Sequence, residues 1–258
     1  MEMLKDHAAV AEMLRLMNEN GRQEEAAELS RLIAAVDSVG QQYEQMQMEV
    51  NDLRQQLVNA TTEQHPLKDT LFRTVRALED QANAVHTRLQ MIQNRIIFIA
   101  EKAVENFRQM GVSTLDTAIS KLRVDQLLDT AQQLIRGGVD DLDKSIRKVE
   151  AIGQELRSAG SHMKNAGRVA SGREAQAVDG GQGGRFQTVV LAPMKAVRST
   201  LERMGRTFRA AEDAVDRLGH AAEQGRGKRE KTSVRRRLEE KENRPASAPA
   251  RKPREEVR

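Results

Sequence analysis

Hydrophobic side chains return along most of this chain at alternating spacings of three and four residues, the repeat that places them on one stripe of a helix. In residues 3–17, Leu4, Ala8, Ala11 and Leu14 fall on one face, which predicts a short helix closed by the turn-forming Asn18-Glu19-Asn20-Gly21. From Arg22 onward, Leu29, Leu32, Val36, Val39, Tyr43, Met46, Val50, Leu53 and Leu57 keep the three-four rhythm without a miss. That is a sustained heptad seam, and it has to be covered by another helix. Thr61 to His65 interrupts it, and Pro66 stands where proline opens a helix at its first turn. A second seam follows with Val75, Leu78, Ala82, Val85, Leu89, Ile92, Ile96, Ile99 and Ala103. With so short a connection the two helices are predicted to be antiparallel neighbours, each roughly 60 Å long at ~1.5 Å per residue.

Gly111 is placed as a C-cap, and Ser113 with Asp116 three residues on makes a capping-box start for the next helix. The seam there slips phase between Leu122 and Val124, which predicts a kink, and Gly137-Gly138 predicts a second break. Beyond it Val139, Leu142, Ile146, Val149, Gly153, Leu156, Gly160, Met163 and Gly167 continue the spacing. The recurring glycines have two readings: a groove where another backbone approaches closely, or a weak helix that loses its packing. The second is favoured, since each Gly costs ~1 kcal/mol relative to Ala.

The Asp-Gly-Gly-Gln-Gly-Gly stretch marks a flexible linker over 171–187. A further seam, Val190, Met194, Val197, Leu201, Met204, Phe208, Ala211, Val215 and Leu218, predicts an Arg-rich amphipathic helix over 188–223. From 224 to 258 Gly, Pro, Ser and charge dominate, which predicts a disordered basic tail. The predicted fold is therefore all-α: an elongated bundle over 1–170, with a short helix at 3–21 and long helices at 22–60, 66–110 and 113–170, then the linker, the amphipathic helix and the tail.

Composition sharpens this picture. One Tyr, five Phe and no Trp exclude a core built on aromatics, and the absence of Cys excludes disulfides and thiolate metal sites. The net charge of +4 conceals a gradient: residues 1–70 sum to −7, 71–180 to +2 and 181–258 to +9. An acidic head and a basic end suit the C-terminal third alone to a polyanionic partner, or suit the two ends to each other. No run of about 18 apolar residues occurs, and the start lacks the layout of a secretory signal, so a cytoplasmic protein without a membrane span is expected. Ile96-Ile97-Phe98-Ile99-Ala100 is too short to cross a bilayer and marks a place where a third helix covers the hairpin.

Reactive constellations are scarce. His7, His65, His86, His162 and His220 are far apart, and none has a second histidine four residues away, so no metal site is expected. Asp140, Asp141 and Asp143 cluster, yet after Gly137-Gly138 they read as the acidic first turn of a restarted helix rather than a magnesium site. The Gly180–Gly184 stretch has no Lys-Ser or Lys-Thr after it and no strand before it, so no nucleotide and no other cofactor is expected. In the tail, Arg226, Lys228, Arg229, Lys231 and Arg235-Arg236-Arg237 could hold phosphates, but Glu239, Glu240 and Glu242 follow and no aromatic stands ready to stack on bases. Val234 and Leu238 form an apolar pair at helical spacing, so Val234, Leu238, Arg235, Arg236 and Arg237 are the candidate partner-binding residues.

The stretches NENGRQEEAAELSRLIAAVDSV, GVSTLDTAI, DKSIRKVEAIGQELRSAGSHMKNAGR and LAPMKAVRSTLERM, in this order over most of residues 10–220, resemble an uncharacterised family of helical proteins encoded beside conjugation genes on mobile elements of Gram-positive anaerobes. The tail KTSVRRRLEEKEN is similar to Ser-Val-Arg-x-x-Leu tails on other proteins of such elements. The resemblance implies no catalytic residues. The expected function is a non-enzymatic interaction or adaptor protein working through coiled-coil helices, with conjugation machinery, another protein or itself as partner. The alternative is a nucleic-acid-binding accessory factor using the basic C-terminal third.

Overall fold

Helices account for the described chain, which in a computed structural model comprises residues 3–60, 68–171, 173–174 and 185–242. A 3-10 turn at Leu4–Asp6 precedes α1 (Ala8–Glu19), α2 (Gln23–Ala60), α3 (Lys68–Met110), α4 (Ser113–Lys121), α5 (Asp125–Ala170) and α6 (Arg185–Glu242). The fold is all-α. No helix among the described residues is long and apolar enough to cross a membrane.

The four long helices make an up-down-up-down bundle, each antiparallel to both neighbours. Between α2 and α3, Arg54 pairs with Glu79 at 3.2 Å and the Tyr43 and His86 rings stack at 4.5 Å. Between α3 and α5, the Thr74 and Ser145 hydroxyls meet at 3.1 Å. Between α5 and α6, Glu150 pairs with Lys195 at 2.9 Å and Gln132 donates to Glu212 at 2.9 Å. α6 closes the ring on α2, where Gln42 donates to Thr207 and Thr200 donates to Glu49, each at 3.1 Å. The seams read from the sequence line the interior: of the residues named for α2, α3 and α6 above, Tyr43 and Val215 are half-buried and the rest are buried. The Arg-rich helix is thus a full member of the bundle, its seam facing α2 and α5.

At one end α1 and α4 lie over α3, where Val10, Met13, Ile96, Ile99, Ala118 and Ile119 come together. This is the cover expected over the Ile96–Ala100 run, supplied by two short helices. The face of α1 differs from the reading above. Val10, Met13, Leu16 and Met17 are buried whereas Ala8 and Ala11 are exposed, because the larger side chains remove more apolar area from water. Leu4 is held apart from that helix: its amide and that of Lys5 donate to the buried Asp37 carboxylate at 2.8 and 3.2 Å.

Gly111 takes the left-handed conformation of a helix cap (φ 68°), its amide donating to the Phe107 carbonyl at 2.9 Å. The capping box does not form. Ser113 is already helical and its hydroxyl donates back to the Met110 carbonyl at 3.2 Å, while Asp116 is taken by Arg22. The phase slip at Leu122–Val124 is a true break between α4 and α5, with Arg123 at φ 39°. The Arg95 guanidinium donates to the freed carbonyls of Leu122 and Lys121 at 3.2 and 2.7 Å. Arg95→Ala is expected to cost about 2 kcal/mol, and Arg123→Gly to stabilise by about 1 kcal/mol by relieving a left-handed arginine, both read from urea melts.

Gly137-Gly138 makes no break, and α5 runs through it. The pair has another use: a side chain on Gly138 would meet the Gln81 amide, its Cβ lying 2.7 Å from Cδ, and Gln81 donates across to the Leu134 carbonyl. Asp140, Asp141 and Asp143 are consequently mid-helix and not a first turn. Asp141 pairs with Lys144 at 3.0 Å and Asp143 with Arg198 at 2.5 Å. The predicted interruption at Thr61–His65 and most of the predicted Gly-rich linker lie outside the described residues. α6 starts at Arg185 and continues past 224, where the composition predicts the end of ordered structure, to Glu242. No proline falls between Pro193 and Pro245, and Lys, Arg, Leu and Glu favour helix strongly enough to carry it across Gly225 and Gly227. The remainder of the predicted tail, 243–258, lies outside the described residues.

Candidate partner-binding surfaces

The residues singled out by sequence, Val234, Arg235, Arg236, Arg237 and Leu238, lie together on the last turns of α6, and their side chains fall outside the described ones. Beyond Ala222 no described residue of α6 is buried. The same holds for α5 at the opposite end, with no described residue buried after Gly153, and Met163 and Val169 are 78% and 61% exposed. An added Cβ at Gly160 or Gly167 would meet nothing within 4 Å, so within the bundle these glycines mark a helix that has lost its packing.

A groove of about 550 Å³ runs between α3 and α5. Its floor holds Leu78 and Leu142, and the facing hydroxyls of Thr74 and Ser145 stand where larger side chains would fill the gap. Arg73 on α3 and Lys144 and Lys148 on α5 rim it, with Asp141 as the acidic lining residue. Sequence reasoning missed this groove because a seam read one helix at a time does not reveal where two helices stand apart.

Titratable groups are dispersed. Among the described residues no three His, Asp or Glu side chains are grouped to hold a metal ion. His86 is stacked on Tyr43, His7 precedes α1, and His65 lies outside the described residues. Asp143 is held below its ordinary carboxyl value by Arg198. Burial, followed by the neighbouring Asp129 carboxylate, pushes Glu212 above its ordinary value. A carboxyl that holds its proton more tightly folded than unfolded destabilises the fold at neutral pH, and the cost disappears as pH falls through its raised folded value. Glu212→Gln, which keeps an acceptor for Gln132, is therefore expected to raise the melting temperature at pH 7 and to lose that advantage in acid. Melts of the two proteins at several pH values check it.

The polar pairs along α2 and α6 were legible in principle. Gln42 and Glu49 are seven residues apart, as are Thr200 and Thr207, so each pair sits beside its seam at heptad spacing. In coiled coils such polar layers fix the register of the partners. Here Thr200 is fully buried, and both layers tie α6 to α2 in one antiparallel alignment.

No curated protein matches the chain. The model of a family of unknown function, DUF6674, matches residues 6–258, and the chain belongs to that family.

Proposed function

We propose that the protein is a non-enzymatic interaction or adaptor protein that engages its partners through helical surfaces, within the machinery of a bacterial mobile element. The observation that carries the reading is that, among the described residues, burial ends short of the helix ends, at Gly153 in α5 and at Ala222 in α6. A helix continued into solvent costs conformational entropy and gains little from its own burial, while large side chains such as Met163 standing in water mark surfaces that partners cover. The mobile-element setting rests on the sequence resemblance, including the Ser233-Val234-Arg235 tail. The nucleic-acid reading keeps the cations of the last turns of α6 in its favour, since phosphate contacts need clustered positive charge and little else.

Deleting residues 226–258 tests both. The truncated protein is expected to keep its helical melt, because every described buried residue of α6 lies at or before Ala222, and to lose co-purification with a conjugation component. Partners retained after the deletion would move the binding site onto the bundle. A DNA duplex bound at low salt by the full chain and released by the deletion would transfer the function to the runner-up.

A further inference from the structure

We infer that the groove between α3 and α5 is a docking site for an acidic amphipathic helix of a partner protein; this deepens the interaction reading and rests on it. The groove differs from the other inter-helix faces of the bundle in its chemistry. Where α2 meets α6 the seam is closed by the paired layers of Gln42 with Thr207 and Glu49 with Thr200. Where α5 meets α6 it is flanked by Asp143 with Arg198 and Glu150 with Lys195, and the smaller groove of about 360 Å³ on that face has two carboxylates, Asp140 and Glu202, among its arginines. Between α3 and α5 the cross-helix ties are the short Thr74–Ser145 pair and the reach of Gln81 to the Leu134 carbonyl, which leaves about 550 Å³ unfilled.

The shape selects the occupant. All described elements are helical and offer no strand edge, and a furrow between two antiparallel helices accepts a third helix by ridges into grooves. The α5 wall of the furrow continues beyond the start of α3 at Lys68. Counting by sevens from the lining residues Ser145 and Lys148 along α5 gives Ile152, Ala159 and Ala166 in one row, and Glu155, His162 and Val169 in the next. A helix lying in the groove therefore runs on over Ile152, Ala159 and Ala166 of the free end of α5, beside the exposed Met163, with Glu155 and His162 along the neighbouring row.

Charge selects the sign. Arg73, Lys144 and Lys148 face one carboxylate, Asp141, which is already paired with Lys144. Arg73 spends its Nε on the Asp69 carbonyl, a neutral group, so its positive charge is not offset by that bond. A partner helix with a Leu-type apolar stripe and Glu or Asp along its edge matches floor and rim together. The rim cations are solvent-exposed, so they give sign preference and on-rate more than affinity, and micromolar binding is expected.

Selection from a library of helical 18-residue peptides, with the full-length protein as bait, tests the assignment without a known partner. Enriched peptides are expected to carry carboxylates beside an apolar stripe. Fluorescence anisotropy should show at least a tenfold loss of their binding to Arg73→Glu/Lys144→Glu/Lys148→Glu, a full-chain variant whose melt should match the parent because all three sites are exposed. Binding should survive in Arg235→Gln/Arg236→Gln/Arg237→Gln. Enriched peptides without acidic bias, no enrichment at all, or equal binding to the charge-reversed protein overturns the assignment. Loss in the tail variant with retention in the groove variant also overturns it while leaving the interaction reading intact. A DNA duplex whose binding the groove variant abolishes would make this a phosphate surface. Concentration-dependent self-association abolished by the same variant would make the occupant a second copy's acidic N-terminal third. Either result replaces the partner helix.

Discussion

Leu89→Asp and Ile96→Asp are each expected to abolish cooperative folding at 25 °C, whereas Gln90→Asp and Asn94→Asp leave the melting temperature within a few degrees of the parent. Leu89 is fully buried and Ile96 is 2% exposed, both on the stripe of α3 that faces the interior. An aspartate there gives up roughly 2 kcal/mol of apolar burial and adds several more for an unpaired buried charge. Together these approach the whole stability of an ordinary domain, ~5–15 kcal/mol. Gln90 and Asn94 are exposed on the same helix, so they carry the same change of helix propensity and charge without the burial. Gln93 is no control, although it lies outside the three-four seam, because it is 8% exposed. At that level α3 meets α1 and α4 as well as its long neighbours, so a wider face is covered than two-helix packing requires. Circular dichroism melts check the contrast, and similar melting of all four variants would show that the stripe does not carry the fold.

This contrast also marks how far the sequence can be read. Long seams were legible because each of Leu29–Leu57, Val75–Ala103 and Val190–Leu218 repeats one periodicity many times, so a local exception cannot hide it. Short elements were not. α1 offers few turns, and Ala8 and Ala11 satisfy the spacing as well as Val10 and Met13 do, so the choice is made by area buried in three dimensions. The start of α4 shows a second limit. Ser113 and Asp116 have the right spacing for a capping box, but Asp116 has a stronger partner in a guanidinium 94 residues away in the chain. Gly137-Gly138 shows a third, since glycines that signal a break locally serve here to admit Gln81. The partner-binding candidates of the tail were legible as composition, whereas the α3/α5 groove depends on how two helices stand apart, which no single-helix pattern encodes.

Arg22→Ala is expected to cost about 3 kcal/mol, the largest loss from any polar position in the bundle. Arg22 is 2% exposed at the turn into α2, and its Nη2 donates to the Asp116 carboxylate of α4, itself 19% exposed. Its Nε and Nη1 are buried without a hydrogen-bond partner among the described residues. The pair thus bears much of the desolvation cost of a buried cation and recovers part of it through one contact. Removing the cation takes the counter-charge from beside a mostly buried carboxylate and opens a cavity where a long side chain had filled the junction of α2 with α4. Arg22→Met keeps most of that volume, so any loss it shows reports the charge rather than the packing. The double variant Arg22→Met/Asp116→Leu removes both charges and should regain most of the stability, because two apolar side chains of similar size satisfy the junction without the desolvation penalty. Urea melts of the single and double variants give the coupling between the sites directly. A double variant as unstable as Arg22→Met would mean that the ion pair itself stabilises the capped end. Recovery would mean that it fixes which helix packs there, holding the start of α2 against α4 and so setting the alignment from which the long antiparallel helices are measured.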